Sequence, residues 1–270
     1  MQFAINYSPQ AADALRAGEL HIDRFKCPPW DDLVAEAHAI LPVYIHFPLC
    51  TGELDDVDWT AIENWLARTD TPRLNVHLTL ERAWLPDADS LPAHEVAERV
   101  TEQFIADLTL LAQRFGAERI IAENVPYRQG EDTLAACVDP TIITHALTET
   151  GCGLLLDASH AAIAAHGLGW DVQAYIAALP LERTGEIHLT GITTDAQGRL
   201  RDHMAFSEAD FARAEFAVRS VLTRGGLPVI AACEYGGIGP KFAWRSEYGV
   251  IVHDCARLNA ILSAQTTPSS

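Results

Sequence analysis

The chain has 270 residues, 49% of them hydrophobic, and carries 37 acidic against 19 basic residues for a formal net charge of −18. That is enough apolar material for one large core, and a single domain of this length is ordinary for an α/β barrel. So acidic a surface repels phosphate backbones, which argues against nucleic-acid binding, and no apolar run approaches the roughly 18 residues that a membrane span needs.

The N-terminal MQFAINYSPQ has neither a basic stretch nor a long apolar one, so no signal peptide is expected. Gln2–Tyr7 is the first strand candidate. Ser8 and Pro9 then open a helix, as N-cap and first helical residue, and Gly18 closes it. Leu20–Phe25 is a second strand, broken by CPPW, and Asp31–Leu41 is an amphipathic helix. Pro42–Phe47 is a third strand carrying His46, Asp58–Arg68 a helix, and Arg73–Leu80 a fourth strand alternating around His77. A proline-containing loop from Glu81 to Pro92 precedes the longest helix, His94–Phe115. Its Val96, Val100, Phe104, Leu108, Leu111 and Phe115 recur at three- and four-residue spacing.

Glu118–Val125 is the fifth strand, with Glu123 at its end, and Asp139–Thr150 is a helix closed by Gly151. The sixth strand lies in GCGLLLDASH (Gly151 to His160). Its apolar run stops at Asp157, a charge that needs a partner, an ion or water if buried. Helices follow His160, with a break at Gly167–Gly169 and a second helix over Asp171–Leu179. Thr184–Thr190 is the seventh strand, carrying His188. A polar loop holding Asp202 and His203 leads to a helix over Ser207–Arg224. Leu227–Glu234 is the eighth strand, Tyr248–Ala264 the last helix, and residues 265–270 a tail.

Eight strands alternating with helices imply right-handed crossovers and a parallel sheet. At this length the expectation is a (β/α)8 TIM barrel in one domain over residues 1–264. A doubly wound open sheet is disfavoured because no GxGxxG follows the first strand. In a barrel, the residues that end the strands converge on the C-terminal mouth. His46, His77, Glu123, Asp157, His188 and Glu234 all end strands, and His160, Asp202 and His203 lie close behind. Taken singly, each has an ordinary structural reading. Jointly they form a set of imidazole and carboxylate donors of the kind that hold Zn, Fe, Mn or Co, large enough for two or three ions. Glu123 and Glu234 are also the candidate acid–base pair. His21, His38, His94, His145, His166 and His253 read as surface or helix residues. Cys233 reads as a small core residue, and EYGGIGPK (Glu234–Lys241) as a weak anion cradle with Lys241 as its cation. Cys27, Cys50, Cys137, Cys152, Cys233 and Cys255 form no CxxC pair and read as reduced thiols of a cytoplasmic protein.

The ordered set His46, His77, Glu123, Asp157-x-x-His160, His188, Asp202/His203, Glu234 resembles the xylose-isomerase-like TIM-barrel superfamily. AENVPY, LLLDASH and YIAALPLERTGEIHLTG are most similar to its multinuclear non-haem iron-dependent oxidases. That resemblance implies a site of two or three irons, held by these residues and oxidising a small molecule or peptide. A partner protein or a homo-oligomer is a further expectation. The alternative is a sugar isomerase or epimerase with one divalent metal on Glu123, Asp157, His188 and Glu234. The families usually carry Asp-x-His after the seventh strand; here Arg201 stands two before His203, and Asp202 is adjacent to it.

Overall fold

The computed structural model describes residues 1–237 and 243–266. Its elements run β1 (Gln2–Asn6), α1 (Pro9–Arg16), β2 (Arg24–Cys27), α2 (Asp31–His38), β3 (Val43–Ile45), α3 (Trp59–Arg68), β4 (Leu74–His77) and α4 (Ala93–Phe115). They continue with β5 (Ile120–Glu123), α5 (Pro140–Thr150), β6 (Gly153–Asp157), α6 (Ala158–Leu168), α7 (Val172–Ala178) and β7 (Thr184–Leu189). The chain then passes through β8 (Gly191–Thr194), β9 (Leu200–Met204), α8 (Glu208–Thr223), β10 (Ile230–Cys233) and α9 (Tyr248–Thr266). Local signals set the helix ends. Ser8, Asp58, Asp139 and Asp171 each accept a backbone N–H as N-caps, and Ser207 forms a capping box with Asp210. Gly151 and Gly169 end α5 and α6 in the left-handed conformation.

Eight strands form one parallel sheet in the order β3-β2-β1-β10-β7-β6-β5-β4. The two edge strands, β3 and β4, meet across a seam that side chains and the following loop close. Asn75 of β4 accepts the Phe47 N–H at 2.7 Å and donates to the Phe47 carbonyl at 2.9 Å. Beyond it, His77 donates its N–H to Leu49 O at 2.8 Å and accepts from Thr51 N at 3.0 Å. The result is the expected TIM-barrel-like α/β fold.

Strand periodicity divides the core. Ala4, Tyr44, Ile230 and Ala232 form a small cluster of their own, whereas a much larger one packs the other faces of the strands against the helices. Two steps past Ala4 and Tyr44 on the same face come Asn6 and His46, and the register pairs Asn6 with Lys26, His77 with Glu123 and Asp157 with His188. The barrel therefore ends in a ring of polar side chains.

One expectation is corrected. The segment with Asp202 and His203 is not a loop but the second strand of an antiparallel hairpin, β8–β9. Asp195 organises its turn by accepting the N–H groups of Gln197 and Arg199, both at 2.9 Å. The last helix also continues past Ala264 to Thr266. Ile238–Lys241 of the suggested anion cradle, and residues 267–270, lie outside the described residues.

Candidate metal centre

Glu123 stands at the centre of the mouth. Its Oε2 lies 3.4 Å from His46 Nε2 and 3.3 Å from His77 Nε2, and its Oε1 lies 3.3 Å from His160 Nδ1 and 3.7 Å from His188 Nδ1. Glu234 Oε1 is 3.2 Å from His188 Nδ1, and Glu234 Oε2 is 3.7 Å from His203 Nδ1. Asp157 ends β6 and caps α6, accepting the N–H groups of Ser159 and His160, each at 2.7 Å through Oδ1. The strand turns directly into the helix, so Asp157 Oδ2 and the His160 ring, 3.7 Å apart, face one mouth. Asp202 Oδ2 lies 3.2 Å from His160 Nε2. All nine candidate donors are thus brought together. The six histidines read as surface or helix residues are all exposed, and Cys233 is fully buried in the core.

The imidazoles are oriented from behind. A carbonyl can only accept, so His77 Nδ1 donates to Leu49 O at 2.8 Å, His160 Nδ1 to Asn124 O at 3.0 Å and His203 Nδ1 to Glu234 O at 3.0 Å. His188 Nε2 donates to Glu186 Oε1 at 2.8 Å, and Tyr44 donates to the same oxygen at 2.9 Å. Each ring is anchored through one nitrogen, and the other nitrogen of His77, His160 and His188 (Nε2, Nε2 and Nδ1) faces a carboxylate of the mouth, the orientation that metal-ligating histidines need. His46 Nε2 also meets Asn75 Nδ2 at 3.3 Å.

Burial and charge bias the protonation states. Burial, with Lys26, pushes His46 well below the usual imidazole range against the pull of Glu123. Burial pushes His203 down to about 4. Burial acts the same way on His160, but Asp157, Asp202 and Glu123 outweigh it and raise its pKa. Burial would raise Glu123, yet His77 and His46 hold it well below the carboxylate range.

Three buried atoms in this cluster have no hydrogen-bond partner: Glu123 Oε2, Asp157 Oδ2 and His188 Nδ1. Leaving buried polar atoms unsatisfied is costly. All three belong to residues that group as potential cation ligands: His46–Glu123–His188, Glu123–Asp157–His160, Asp157–His188–Glu234 and His160–Asp202–His203. The donor set, nitrogen and carboxylate oxygen without thiolate, fits a divalent cation such as Fe, Mn, Co or Zn.

The Asp202–His203 pair has a local explanation. Side chains alternate along a strand, so neighbours ordinarily face opposite ways. Here Gly191 pairs with Met204 and Thr193 with Arg201, which leaves two residues of β9, Asp202 and His203, opposite the single Ile192 of β8. His203 is left-handed, φ 57°, and alone in this among the described non-glycine residues. Such a bulge re-aims side chains, and here both reach the mouth. Arg201 turns outward, its Nε donating to Asp195 at 2.9 Å.

Several neighbours carry no such strand-end signature in the sequence as read. Lys26 is the main one: its buried ammonium contacts Glu234 Oε1. Burial pushes Lys26 down to about 8, against the pull of Glu123, Glu186 and Asp157. It lies beyond the strand read over Leu20–Phe25, and the observed β2, running to Cys27, turns it inward. Glu186 and Asn124 act behind the candidate ligand rings, and Asn75 in the seam between β3 and β4, where no strand-end pattern marks them. Six of the donors, His46, His77, Glu123, His160, His203 and Glu234, line a cavity of about 390 Å³ together with Lys26, Arg245 and an apolar stretch of Pro28, Pro29, Trp30, Leu33 and Pro48.

The fold, a parallel eight-stranded barrel with histidine and carboxylate side chains at its mouth, is that of the xylose isomerase-like TIM barrels. The solved structure of a xylose isomerase domain-containing protein from Salmonella typhimurium superposes with a TM-score of 0.60 over 97% of both chains, at 14% identity. That of the IolI protein with a bound zinc atom gives 0.56 over 99% of this chain and 100% of the other, at 13% identity. Residues 28–210 match the family described as RiPP precursor modification enzyme MbnB/TglH/ChrH, and the chain belongs to that family. A UPF0276 protein of Bordetella pertussis is 31% identical over 147 residues, 48% of this chain and 50% of that protein. The chain thus spans about half the length of the curated relatives it matches. Among the described residues, no helix is long and apolar enough to cross a membrane.

Proposed function

We propose that this chain is a metal-dependent oxidase whose centre of two or three divalent ions, most readily iron, acts on a peptide or on a small thiol-bearing molecule. The observation that carries the reading is the set of orphaned atoms on Glu123, Asp157 and His188, with the His46 and His77 imidazoles beside Glu123 Oε2 and that of His160 beside Asp157 Oδ2. The nine donors His46, His77, Glu123, Asp157, His160, His188, Asp202, His203 and Glu234 would hold the ions. Family membership supports the peptide, since a RiPP precursor is a peptide made on the ribosome. When bound, iron would supply the redox partner that withdraws electrons from substrate and passes them to dioxygen.

The chain's own groups do the rest. Glu123 reaches both the His46–His77 and the His160–His188 sides, so its carboxylate ties the centre together. Pro28 and Pro29 fix the backbone ahead of Trp30, whose ring is half exposed at the rim. This wall suits an apolar part of the substrate and keeps water from one side of the cavity.

The test begins with elemental analysis of protein purified without air, followed by oxygen uptake with thiol-containing peptides. Two or three irons per chain and thiol-dependent oxygen consumption are expected. A single manganese or cobalt ion with turnover of a ketose would replace this reading by an isomerase. Absence of any bound metal after supplementation would end it.

A further inference from the structure

Lys26 brings to the mouth a charge that the nine donors do not explain. It lies two residues before residues 28–210, so the family match does not extend to it. Its ammonium contacts Glu234 Oε1, the same oxygen that His188 Nδ1 approaches at 3.2 Å, and all three residues are buried. It is also within Coulombic reach of Asp157 and Glu123. Asp157, His188 and Glu234 form one of the groups able to hold a cation. An ion on that group would approach the carboxylate oxygen that the ammonium already holds. Two cations on one buried oxygen repel strongly, because the interior screens charge poorly.

Resting on the metal reading above, we propose that Lys26 sets the metal count of the centre: its ammonium takes the place of the middle ion. The chain then holds two divalent ions, one on the side of His46, His77 and Glu123 and one on His160, Asp202 and His203 with Asp157 beside them. Charge balance supports the lower count. Glu123, Asp157, Glu186, Asp202 and Glu234 place five carboxylates around the centre, and Lys26 returns one positive charge. Arg245, which lines the same cavity within Coulombic reach of Asp202, returns a second, so two divalent ions already offset the remainder and a third would only add buried positive charge.

The deciding experiment titrates metal-free wild type, Lys26→Met and Lys26→Arg with Co(II) under anaerobic conditions. Bound ions are counted by visible absorption and elemental analysis, and melting is recorded with and without cobalt. Methionine is close to lysine in length and lacks its charge. Wild type and Lys26→Arg should bind two ions. Lys26→Met should bind three, or bind the third at least ten-fold more tightly than wild type does. Metal-free Lys26→Met should melt below metal-free wild type, because Glu234 loses its cation, and should gain more on adding cobalt. If it does not fold without metal, refolding it with Co(II) gives the same count. Three tightly bound ions in wild type, or no gain in Lys26→Met, would overturn the proposal and leave the metal centre standing. No cobalt bound by wild type would overturn the metal reading itself.

Discussion

Asp157 serves two purposes through its two oxygens, and they can be separated. Oδ1 caps α6 through the Ser159 and His160 N–H groups, whereas Oδ2 is the orphan that faces the centre. Asparagine caps a helix as well as aspartate does, and alanine loses about 1 kcal/mol. Asp157→Asn should therefore leave the melting temperature of the metal-free protein nearly unchanged while lowering metal content. Asp157→Ala should lower both. Unaltered metal content in Asp157→Asn would remove Asp157 from the donor set. The bulge makes a second single-residue prediction. Asp202 reaches His160 Nε2, whereas Arg201 is turned onto Asp195. Asp202→Ala should weaken one ion's binding by at least about ten-fold, a loss of the size seen when a metal's supporting groups are removed. Arg201→Ala should not, although Arg201 stands where the related families carry their aspartate. Competition with a chromogenic chelator would rank the two.

Elements place these residues, and the seam between β3 and β4 is the junction most exposed to damage. Asn75 satisfies both the N–H and the carbonyl of Phe47 and also meets His46. Asn75→Ala would leave two buried backbone groups unpaired, at about 1–3 kcal/mol each. A fall in melting temperature of several degrees is expected, together with weaker metal binding by His46 and His77; a metal-free melting curve equal to wild type would show that the seam does not depend on this side chain. The same scale explains what was legible in the sequence. His46, His77, Glu123, Asp157, His188 and Glu234 stood out because short apolar runs ended in them, and a barrel brings strand ends together. Lys26 obeys the same rule but was hidden: the strand read as Leu20–Phe25 lies at Arg24–Cys27, and a lone lysine beside CPPW reads as a solvated loop residue. The hairpin was hidden because an adjacent Asp–His pair breaks strand alternation, which only the left-handed His203 reconciles. Glu186 and Asn124 carried no signal, since their work is to hold His188 and His160 and Asp157 in place.

Over the whole molecule, the metal-free protein concentrates like charge in its own mouth. Glu123, Asp157 and Glu234 are buried within a few ångströms of shared histidines, in a chain already at −18. Lys26 offsets only part of that charge, so hydrophobic burial against the nine α-helices of the described residues must hold these groups together when no ion does. Bound ions would relieve that tension and stabilise the native state by linkage. An ion present at a thousand times its Kd contributes about 4 kcal/mol. A chain of this size shifts by about 2–4 °C for each kcal/mol. Removing two ions with a chelator should therefore lower the melting temperature by on the order of 15–30 °C. Replacing Glu123 by alanine should shrink that difference sharply, because the carboxylate that spans the centre is gone. Calorimetry with and without chelator, on wild type and Glu123→Ala together, measures both. A melting temperature that ignores the chelator in the wild-type protein would mean that the barrel tolerates its buried carboxylates unaided, and that the donors at its mouth are structural rather than metal-binding.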